Sequence, residues 1–448
     1  MLPLLLVSAC TGDPYVVDPF AVSVDFYDAG IPLLSGCAPE LQVDCKATPL
    51  RVVIDTGTAI TTVAYGQDDP SVRRVHTSVD LESPGPGNML VTRARFLGFT
   101  ALAQPLGPIG LEGSSTPLDP GMVLGGDRLQ TLAVRFDPNH GRVFFFPNIA
   151  GADDVLGREC SAVVPTTRLG GGDYLLDGAQ ISFPATRLIV GTCLNMQPNP
   201  APLPDAGVGP APDAGAGPAP DAAVVRPTPE GADALLLVST GLPLTVLSRT
   251  AFDRACKVGL TTDPEACKTV ATVLSFPGMP PGSGVSVQLG HLRWLGIAAD
   301  EVRDGRGPCK EIWASRLMDL GGCSAREASS TQTCPCEVDR ARPETFFCRA
   351  GASAEVYGPI EVAVVEDTNP LLQSLRDELR PVVADVDGFL GMNALRPFVT
   401  DFDYPGSRII FRCEGARSQR CVVRPRLPGV DERERVLPCL GRQSFTAN

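Results

Sequence analysis

The chain has 448 residues, of which 51 are acidic and 38 are basic, giving a formal net charge of -13 at pH 7. Such an acidic chain repels phosphate groups, which argues against nucleic acid as a partner. Hydrophobic residues make up 44% and charged residues 20%, the balance of a globular protein, and the length predicts two or three compact units. The 46 glycines and 43 prolines disfavour a helical bundle.

The first ten residues, MLPLLLVSAC, form an apolar stretch that ends in two small residues and a cysteine. This pattern resembles the end of a bacterial lipoprotein signal peptide, in which Cys10 becomes the acylated N-terminus. A basic segment before the apolar stretch is missing, so a start codon placed too late or a plain apolar leader are the alternatives. The resemblance predicts an exported lipoprotein of the bacterial cell envelope, on the outer membrane or facing the periplasm, with a lipid anchor as its membrane contact.

Cysteine usage also predicts export. Removing Cys10 from the 15 cysteines leaves an even number. Several lie close in sequence, as expected for loops crosslinked in an oxidising compartment: Cys37 and Cys45, Cys256 and Cys267, Cys413 and Cys421, and the group Cys309, Cys323, Cys334, Cys336 and Cys348. Zinc is the weaker alternative because Cys334 and Cys336 lack the C-x-x-C spacing and no histidine lies near them. We therefore expect neither a metal nor a cofactor.

Residues 198–229 are an imperfect repeat of Pro, Ala, Gly and Asp with few bulky side chains, which predicts an extended, disordered linker. The chain also repeats itself in three blocks that occur in the same order: residues 54–57 match 238–241, residues 95–99 match 293–297, and residues 123–137 match 389–403. Between the second and third blocks the second copy is longer, and the extra residues include the cysteine group. We interpret them as a disulfide-crosslinked insert.

The repeat predicts the following organisation: a signal peptide at 1–10, an N-terminal lobe at 20–150, the start of the C-terminal lobe at 151–197, the linker at 198–229, the C-terminal lobe at 230–415 with the insert at about 300–380, and a tail at 416–448. Both halves are predicted to be mostly β. Apolar runs at 50–54 and 235–238 end at a Thr-Gly turn, and hairpins are predicted at 73–99 and 270–297 around Pro/Gly turns. Leucines at helical spacing predict a helix at 369–379.

The motif D-T-G-T at Asp55 to Thr58 follows an apolar strand, and a glycine there allows a sharp turn beside the carboxylate. Together with the following hairpin and the hydrophobic-hydrophobic-Gly block at 123–125, this motif resembles the aspartic peptidases of the pepsin and retropepsin type. The resemblance implies an all-β, bilobal pepsin-like acid protease fold of two related lobes, with the cysteine-rich insert in the second. It also implies that Asp55 is catalytic, that Thr56, Gly57 and Thr58 support it, that the first hairpin is the flap, and that peptides bind in the cleft.

The second copy departs from this family, because its motif reads Ser239, Thr240 and Gly241, so a serine replaces the second catalytic aspartate. The family needs two carboxylates that share one proton, and a serine supplies neither the like charge nor a proton of useful acidity. The first hairpin has no tyrosine at its tip, and Leu242 replaces the counterpart of Thr58. Asp385 and Asp387 match positions of the first copy, which suits a structural role.

Three functions remain open at this point. The first is a degenerate peptidase homologue that binds extended peptide without turning it over efficiently. The second is an active aspartic endopeptidase that uses Asp55 alone or pairs it across a homodimer. The third is a non-catalytic structural surface lipoprotein that uses the cysteine-rich insert as its contact surface. A serine hydrolase built on Ser239 and His291 is disfavoured because the sequence has no G-x-S-x-G motif.

Overall fold

The computed structural model describes residues 22–23, 25–26, 30–42, 44–45, 48–65, 73–84, 90–112, 118–147, 161–176, 179–183, 185–196, 231–259, 267–299, 307–309, 312, 336–339, 342–348, 352–380, 385–413 and 420–424. The predicted signal peptide with Cys10, the linker 198–229 and most of the tail lie outside the described residues. Cys323 and Cys334 of the cysteine group also lie outside them.

The described chain is mostly β, because short runs rich in Val, Ile, Leu and Phe are separated by Gly and Pro turns. In the first half the elements are β1 Val22–Ser23, β2 Asp25–Phe26, β3 Pro32–Cys37, β4 Leu50–Ile54, β5 Thr62–Ala64, β6 Arg73–Pro84, β7 Leu90–Gln104, β8 Gly110–Leu111, β9 Met122–Leu124, α1 Gly126–Leu129, β10 Leu132–Asp137 and β11 Arg142–Pro147.

The second half begins at β12. Its elements are β12 Ala162–Pro165, β13 Thr167–Leu169, β14 Gly172–Leu176, β15 Ala179–Phe183, β16 Arg187–Asn195, β17 Ala232–Val238, β18 Thr245–Ser248, α2 Arg249–Gly259, β19 Val270–Ser275, β20 Val285–Ala298, β21 Cys336–Asp339, β22 Arg342–Cys348, β23 Ser353–Val365, α3 Pro370–Leu379, β24 Gly388–Leu390, α4 Met392–Leu395, β25 Val399–Asp403, β26 Arg408–Arg412 and β27 Cys421–Arg424. The predicted helix is α3, which begins after Asn369 with the side chain of that residue capping its first turn.

The two halves share one strand topology. In the first half β4 pairs parallel with β9, β9 antiparallel with β5, and β5 parallel with β7. In the second half β17 pairs parallel with β24, β24 antiparallel with β18, and β18 parallel with β23. A third sheet has the strand order β1-β11-β10-β25-β26-β12. Its first three strands come from the first half and its last three from the second, so β10, β11 and β1 correspond to β25, β26 and β12. The described chain is therefore a topological duplication whose halves meet at the β10–β25 pair.

The strand pairing corrects the second block of the repeat. Because β23 is the counterpart of β7, residues 96–99 correspond to residues 357–360, and each of these segments contains a glycine with a positive φ, Gly98 at +53° and Gly358 at +90°. Both glycines lie beside an irregularity in the strand register. The match of residues 95–99 with 293–297 was therefore wrong, since it paired similar sequences from strands that are not equivalent.

The domain limits also change in the second half. Strand β23 and helix α3 belong to the large sheet and its packing, so the predicted insert at about 300–380 extends too far. Part of the predicted tail is β27, which pairs with β23. Strands β16 and β17 form an antiparallel pair with Leu194 opposite Ala232, so the linker 198–229 joins two neighbouring strands of the second half.

Four disulfides join described cysteines. Three of them close the short loops predicted from sequence, namely Cys37–Cys45, Cys256–Cys267 and Cys413–Cys421. The fourth, Cys193–Cys309, spans 116 residues, and the sequence did not predict it. It ties β16 to the start of the cysteine-rich segment.

A buried ion-pair network crosses the β10–β25 pair between the halves. Asp401 is fully buried and accepts hydrogen bonds from Arg135 at 2.7 Å and from Arg412 at 2.5 Å. Arg135 and Asp401 are direct partners in the strand register. Apolar packing around this network includes the edge-to-face pair Phe136 and Phe402.

In the part of the chain that the structure describes, no helix has the length and apolar character needed to cross a membrane.

Candidate functional site

The Asp-Thr-Gly and Ser-Thr-Gly loops lie against each other where β4 and β17 end. Each strand is buried next to a parallel neighbour, and the next residue is held in the same way: Asp55 N donates to Leu124 O and Ser239 N to Leu390 O, both at 3.0 Å. The repeated strand topology thus brings the two loops to equivalent positions.

The two threonines of these loops exchange hydrogen bonds across the contact. Thr56 N donates to Thr240 Oγ1 at 3.2 Å, and Thr240 N donates to Thr56 Oγ1 at 3.3 Å. Each hydroxyl also donates to the strand of the other half, Thr56 Oγ1 to Val238 O at 2.9 Å and Thr240 Oγ1 to Ile54 O at 2.7 Å. Because both threonines are fully buried, these four bonds fix the relative position of the loops.

The carboxylate of Asp55 accepts four hydrogen bonds, and the residue is 2% exposed. Its Oδ1 accepts from Gly57 N at 2.9 Å, Gly241 N at 3.1 Å and Ser239 Oγ at 2.8 Å. Its Oδ2 accepts from Thr58 Oγ1 at 2.6 Å. Four donors match the approximate acceptor capacity of an ionised carboxylate. Ser239 therefore fills, with a hydroxyl, the position that faces Asp55.

Both loop glycines are needed by the close contact of the halves. A Cβ atom on Gly57 would lie 2.6 Å from Ser239 Cβ, and one on Gly241 would lie 2.8 Å from Asp55 Cβ. Such distances are far below van der Waals contact. The glycine of each loop thus leaves space for the side chain that the other loop presents, and the two distances are similar.

A cavity of about 310 Å³ opens above Asp55 and Ser239. Its walls come from both halves and are mostly apolar. The lining residues are Asp55, Gly57, Thr58, Ala59, Ile60, Thr62, Leu102, Arg187, Ser239, Leu242, Phe276, Pro277, Gly278, Met279, Leu371, Ser374, Leu375, Glu378 and Phe389. The volume is at the lower end of small-ligand pockets and fits one or two large side chains.

The cover of this cavity comes from the second hairpin. Residues 276–279, between β19 and β20, line the cavity, whereas no described residue of β6 does. The end of the first hairpin, where Pro84 pairs with Leu90, lies near β3, which contacts β6 at Glu82. The expectation that the first hairpin is the flap was therefore wrong. We call residues 276–279 the lid.

Hydrogen bonds attach the lid to the first half. Gly107 N donates to Met279 O at 2.7 Å, and Gln104 Nε2 donates to Gly278 O at 2.6 Å. Strand β19, which leads into the lid, pairs antiparallel with β8 of the first half. The lid thus spans from one half to the other above the Asp55–Ser239 contact.

The other candidate residues lie elsewhere or have structural partners. Asp387 accepts hydrogen bonds from Leu235 N at 3.0 Å and from Arg254 at 2.8 Å, which ties β17 to α2. Asp385 is exposed. His291 is exposed on β20, whereas Ser239 is buried and its hydroxyl donates to Asp55. In the described ranges, no group of three or more His, Cys, Asp or Glu side chains could hold a metal ion.

Two buried acidic groups lie around the site. Burial raises the pKa of Asp127 in α1, although its Oδ1 accepts from Thr61 N at 2.9 Å and Thr61 Oγ1 at 2.7 Å. Burial also raises the pKa of the Tyr404 hydroxyl, and the negative charge of Asp55 adds to this increase. Both groups therefore favour their neutral forms more than they would in water.

Sequence reasoning missed the lid and two charged residues of the cavity wall, Arg187 and Glu378. The lid sequence, Phe276 to Met279, was identified only as a hairpin turn. Arg187 and Glu378 are 191 residues apart and meet only through the tertiary structure.

Comparison with known proteins finds only low similarity. No protein-family model matches the chain, and no curated protein does. Among solved structures, the chain is similar to an aspartic proteinase from Irpex lacteus with a TM-score of 0.34 and 12% identity, over 89% of this chain and 98% of that chain.

Proposed function

We propose that this protein is an exported, degenerate relative of the aspartic endopeptidases, with a bilobal pepsin-like fold, which binds peptide in the cavity between its halves without efficient turnover. The observation that carries the proposal is the hydrogen bond from Ser239 Oγ to Asp55 Oδ1, 2.8 Å long, between equivalent positions of the duplication. A single carboxylate faces a hydroxyl, so the pair cannot share a proton between two acids as the active enzymes do.

Peptide binding is supported by the shape of the site. The lid covers a mostly apolar cavity that both halves line, an arrangement that suits insertion of the side chains of a bound peptide. A homodimeric peptidase built on Asp55 has no support, because Ser239 of the same chain fills the facing position. The lipid anchor on Cys10 and the cell-envelope location stay part of the proposal on the sequence pattern.

The test uses the purified protein with a mixed peptide pool at acid pH and with a statine-type inhibitor. We expect saturable binding of the inhibitor or of peptides, without cleavage detectable by mass spectrometry. Cleavage that is abolished by Asp55→Asn and by the inhibitor would instead establish an active peptidase. Neither binding nor cleavage would favour the structural lipoprotein. Asp377→Asn, on the exposed side of α3, is the matched control for loss of an acid.

A further inference from the structure

An ion pair between Arg187 and Glu378 lies in the cavity wall beside the Asp55 loop. Arg187 donates to Glu378 Oε2 through Nη1, and to the carbonyl oxygen of Gly57 through Nε at 3.2 Å. The side chains are 18% and 21% exposed. The pair is therefore mostly buried and anchored to the same loop that holds Asp55.

The fold itself does not require a charge at this position. Leu33 pairs with Val53 in the first half and Ile189 with Leu237 in the second, which makes Ile31 the counterpart of Arg187. Ile31 is 1% exposed and belongs to an apolar cluster. Because burying an ion pair costs desolvation energy that an apolar side chain avoids, the charges on the cavity side point to a ligand.

The chain makes space for this pair at Gly170, between β13 and β14. A Cβ atom there would lie 2.7 Å from Glu378 Oε1 and 3.0 Å from Arg187 Cδ. The positive φ of Gly170, +78°, also favours glycine. The backbone is thus shaped around the two charged side chains.

The cavity has more negative than positive charge. Its charged lining residues are Asp55, Glu378 and Arg187. Both oxygens of Asp55 have protein donors, whereas Glu378 Oε1 is buried without a hydrogen-bond partner. Leaving a buried acceptor unpaired is costly, and a donor brought by a ligand would recover that cost. The χ3 torsion of a glutamate has a broad distribution, so the carboxylate can rotate toward such a donor.

Apart from Ser374, the rest of the wall nearby is apolar. Helix α3 presents Leu371 and Leu375 to the cavity on the same face as Glu378, and Phe276 and Phe389 lie in the same wall. An apolar passage that ends at a carboxylate matches a lysine or arginine side chain, which has an apolar stem and a cationic tip.

We propose that the cavity selects peptides with a basic side chain, whose cation binds Glu378. This inference rests on the proposed function, since it names the peptide class for the same cavity. Glu378 is then a specificity-determining residue for ligand binding.

The test measures the dissociation constants of a statine-containing peptide series in which lysine, norleucine or glutamate is placed in turn at each position beside the statine. In the unmodified protein we expect one position at which lysine binds about 10- to 100-fold more tightly than norleucine, as for a charge-assisted hydrogen bond. Glu378→Gln, which keeps the size of the side chain, should remove this preference, and Asp377→Asn should keep it. Thermal unfolding of each variant checks that the fold is intact.

The outcomes separate the two proposals. If no peptide of the series binds, the proposed function fails. If the peptides bind with equal affinity for lysine and norleucine, or prefer glutamate, the function stands and the role of Glu378 is refuted. A preference for lysine that survives Glu378→Gln would also refute it. If Glu378→Gln does not fold, Glu378→Asp replaces it. We then expect a reduced preference for lysine, because the shorter side chain holds its carboxylate farther from the ligand.

Discussion

Replacing Ser239 by aspartate would test whether the missing carboxylate limits the chemistry of this site. The new side chain should fit, because the two loops leave similar space for the residue opposite. Gly241 accommodates the aspartate side chain of Asp55, and Gly57 lies at a similar distance from Ser239. Ser239→Asp would then place two carboxylates at the contact where Ser239 Oγ and Asp55 Oδ1 are now 2.8 Å apart.

The distance between the two side chains sets the repulsion between the carboxylates of the variant. Two unit charges about 3 Å apart, at an effective dielectric constant of about 20, repel by about 5 kcal/mol. The variant pair avoids this cost by retaining one proton, which raises the pKa of its second ionisation above that of aspartate in the unfolded chain. Stability conferred by this retained proton is present at low pH and is lost as the pH rises through the pKa of the folded pair. Ser239→Asp should therefore melt at a lower temperature than the unmodified protein at pH 8, and the difference should shrink at pH 4.

The activity assay compares cleavage of the peptide pool at pH 3 to 6 by the unmodified protein and the variant. A missing acid or base group costs about 10²- to 10⁴-fold in rate, so we expect a gain of that order. The double variant Ser239→Asp, Leu242→Thr should gain more, because Thr58 donates to Asp55 at 2.6 Å and the second loop lacks that donor. Asp55→Asn in the same background is the control and should abolish cleavage.

One result would refute this reasoning. If Ser239→Asp folds, shows the expected pH dependence of its melting temperature, and still cleaves nothing, then a second carboxylate is not what the site lacks. The lid would become the next feature to examine, because it comes from the second half and is attached to the first by hydrogen bonds.

Three other variants test the fold around the site. Arg135→Leu removes one cation from the buried Asp401 and should destabilise the protein by about 3–5 kcal/mol in urea unfolding; no change would mean that the pair contributes nothing between the halves. Gly57→Ala should destabilise by at least 1–3 kcal/mol, since its Cβ would overlap Ser239; a neutral result would contradict the loop contact. Burial opposes ionisation of Asp367, but hydrogen bonds from α2 and α3 lower its pKa. Stability from this group is present above the pKa of the unfolded chain and lost as the pH falls through the folded pKa, so Asp367→Asn should reduce the stability lost between pH 5 and pH 2, measured by thermal unfolding.

The two halves contribute different parts of the site. Asp55 comes from the first half, whereas the lid comes from the second half, together with Ser239 and α3. In the first half β6 is the counterpart of β20, and the described residues between β5 and β6 include no strand that corresponds to β19. The chain thus carries the acid and the lid on different copies of the repeat.

The sequence by itself determined the loops and their chemistry. A short apolar strand followed by D-T-G or S-T-G is a local pattern, and hydrophobic periodicity and turn residues also gave the hairpins and α3. Cysteines close in sequence gave three disulfides for the same reason, since a short loop leaves few partners within reach.

The tertiary structure alone decided which strands are equivalent, which hairpin covers the cavity, and which charges meet there. The motif around Gly296 resembled the one around Gly98, yet only strand pairing shows that the segment around Gly358 is the counterpart. Arg187 and Glu378 carry no local signal, because contacts between residues far apart in sequence depend on how the sheets pack. Local propensity acts over a few residues, whereas a binding site is assembled from segments that only the folded chain brings together.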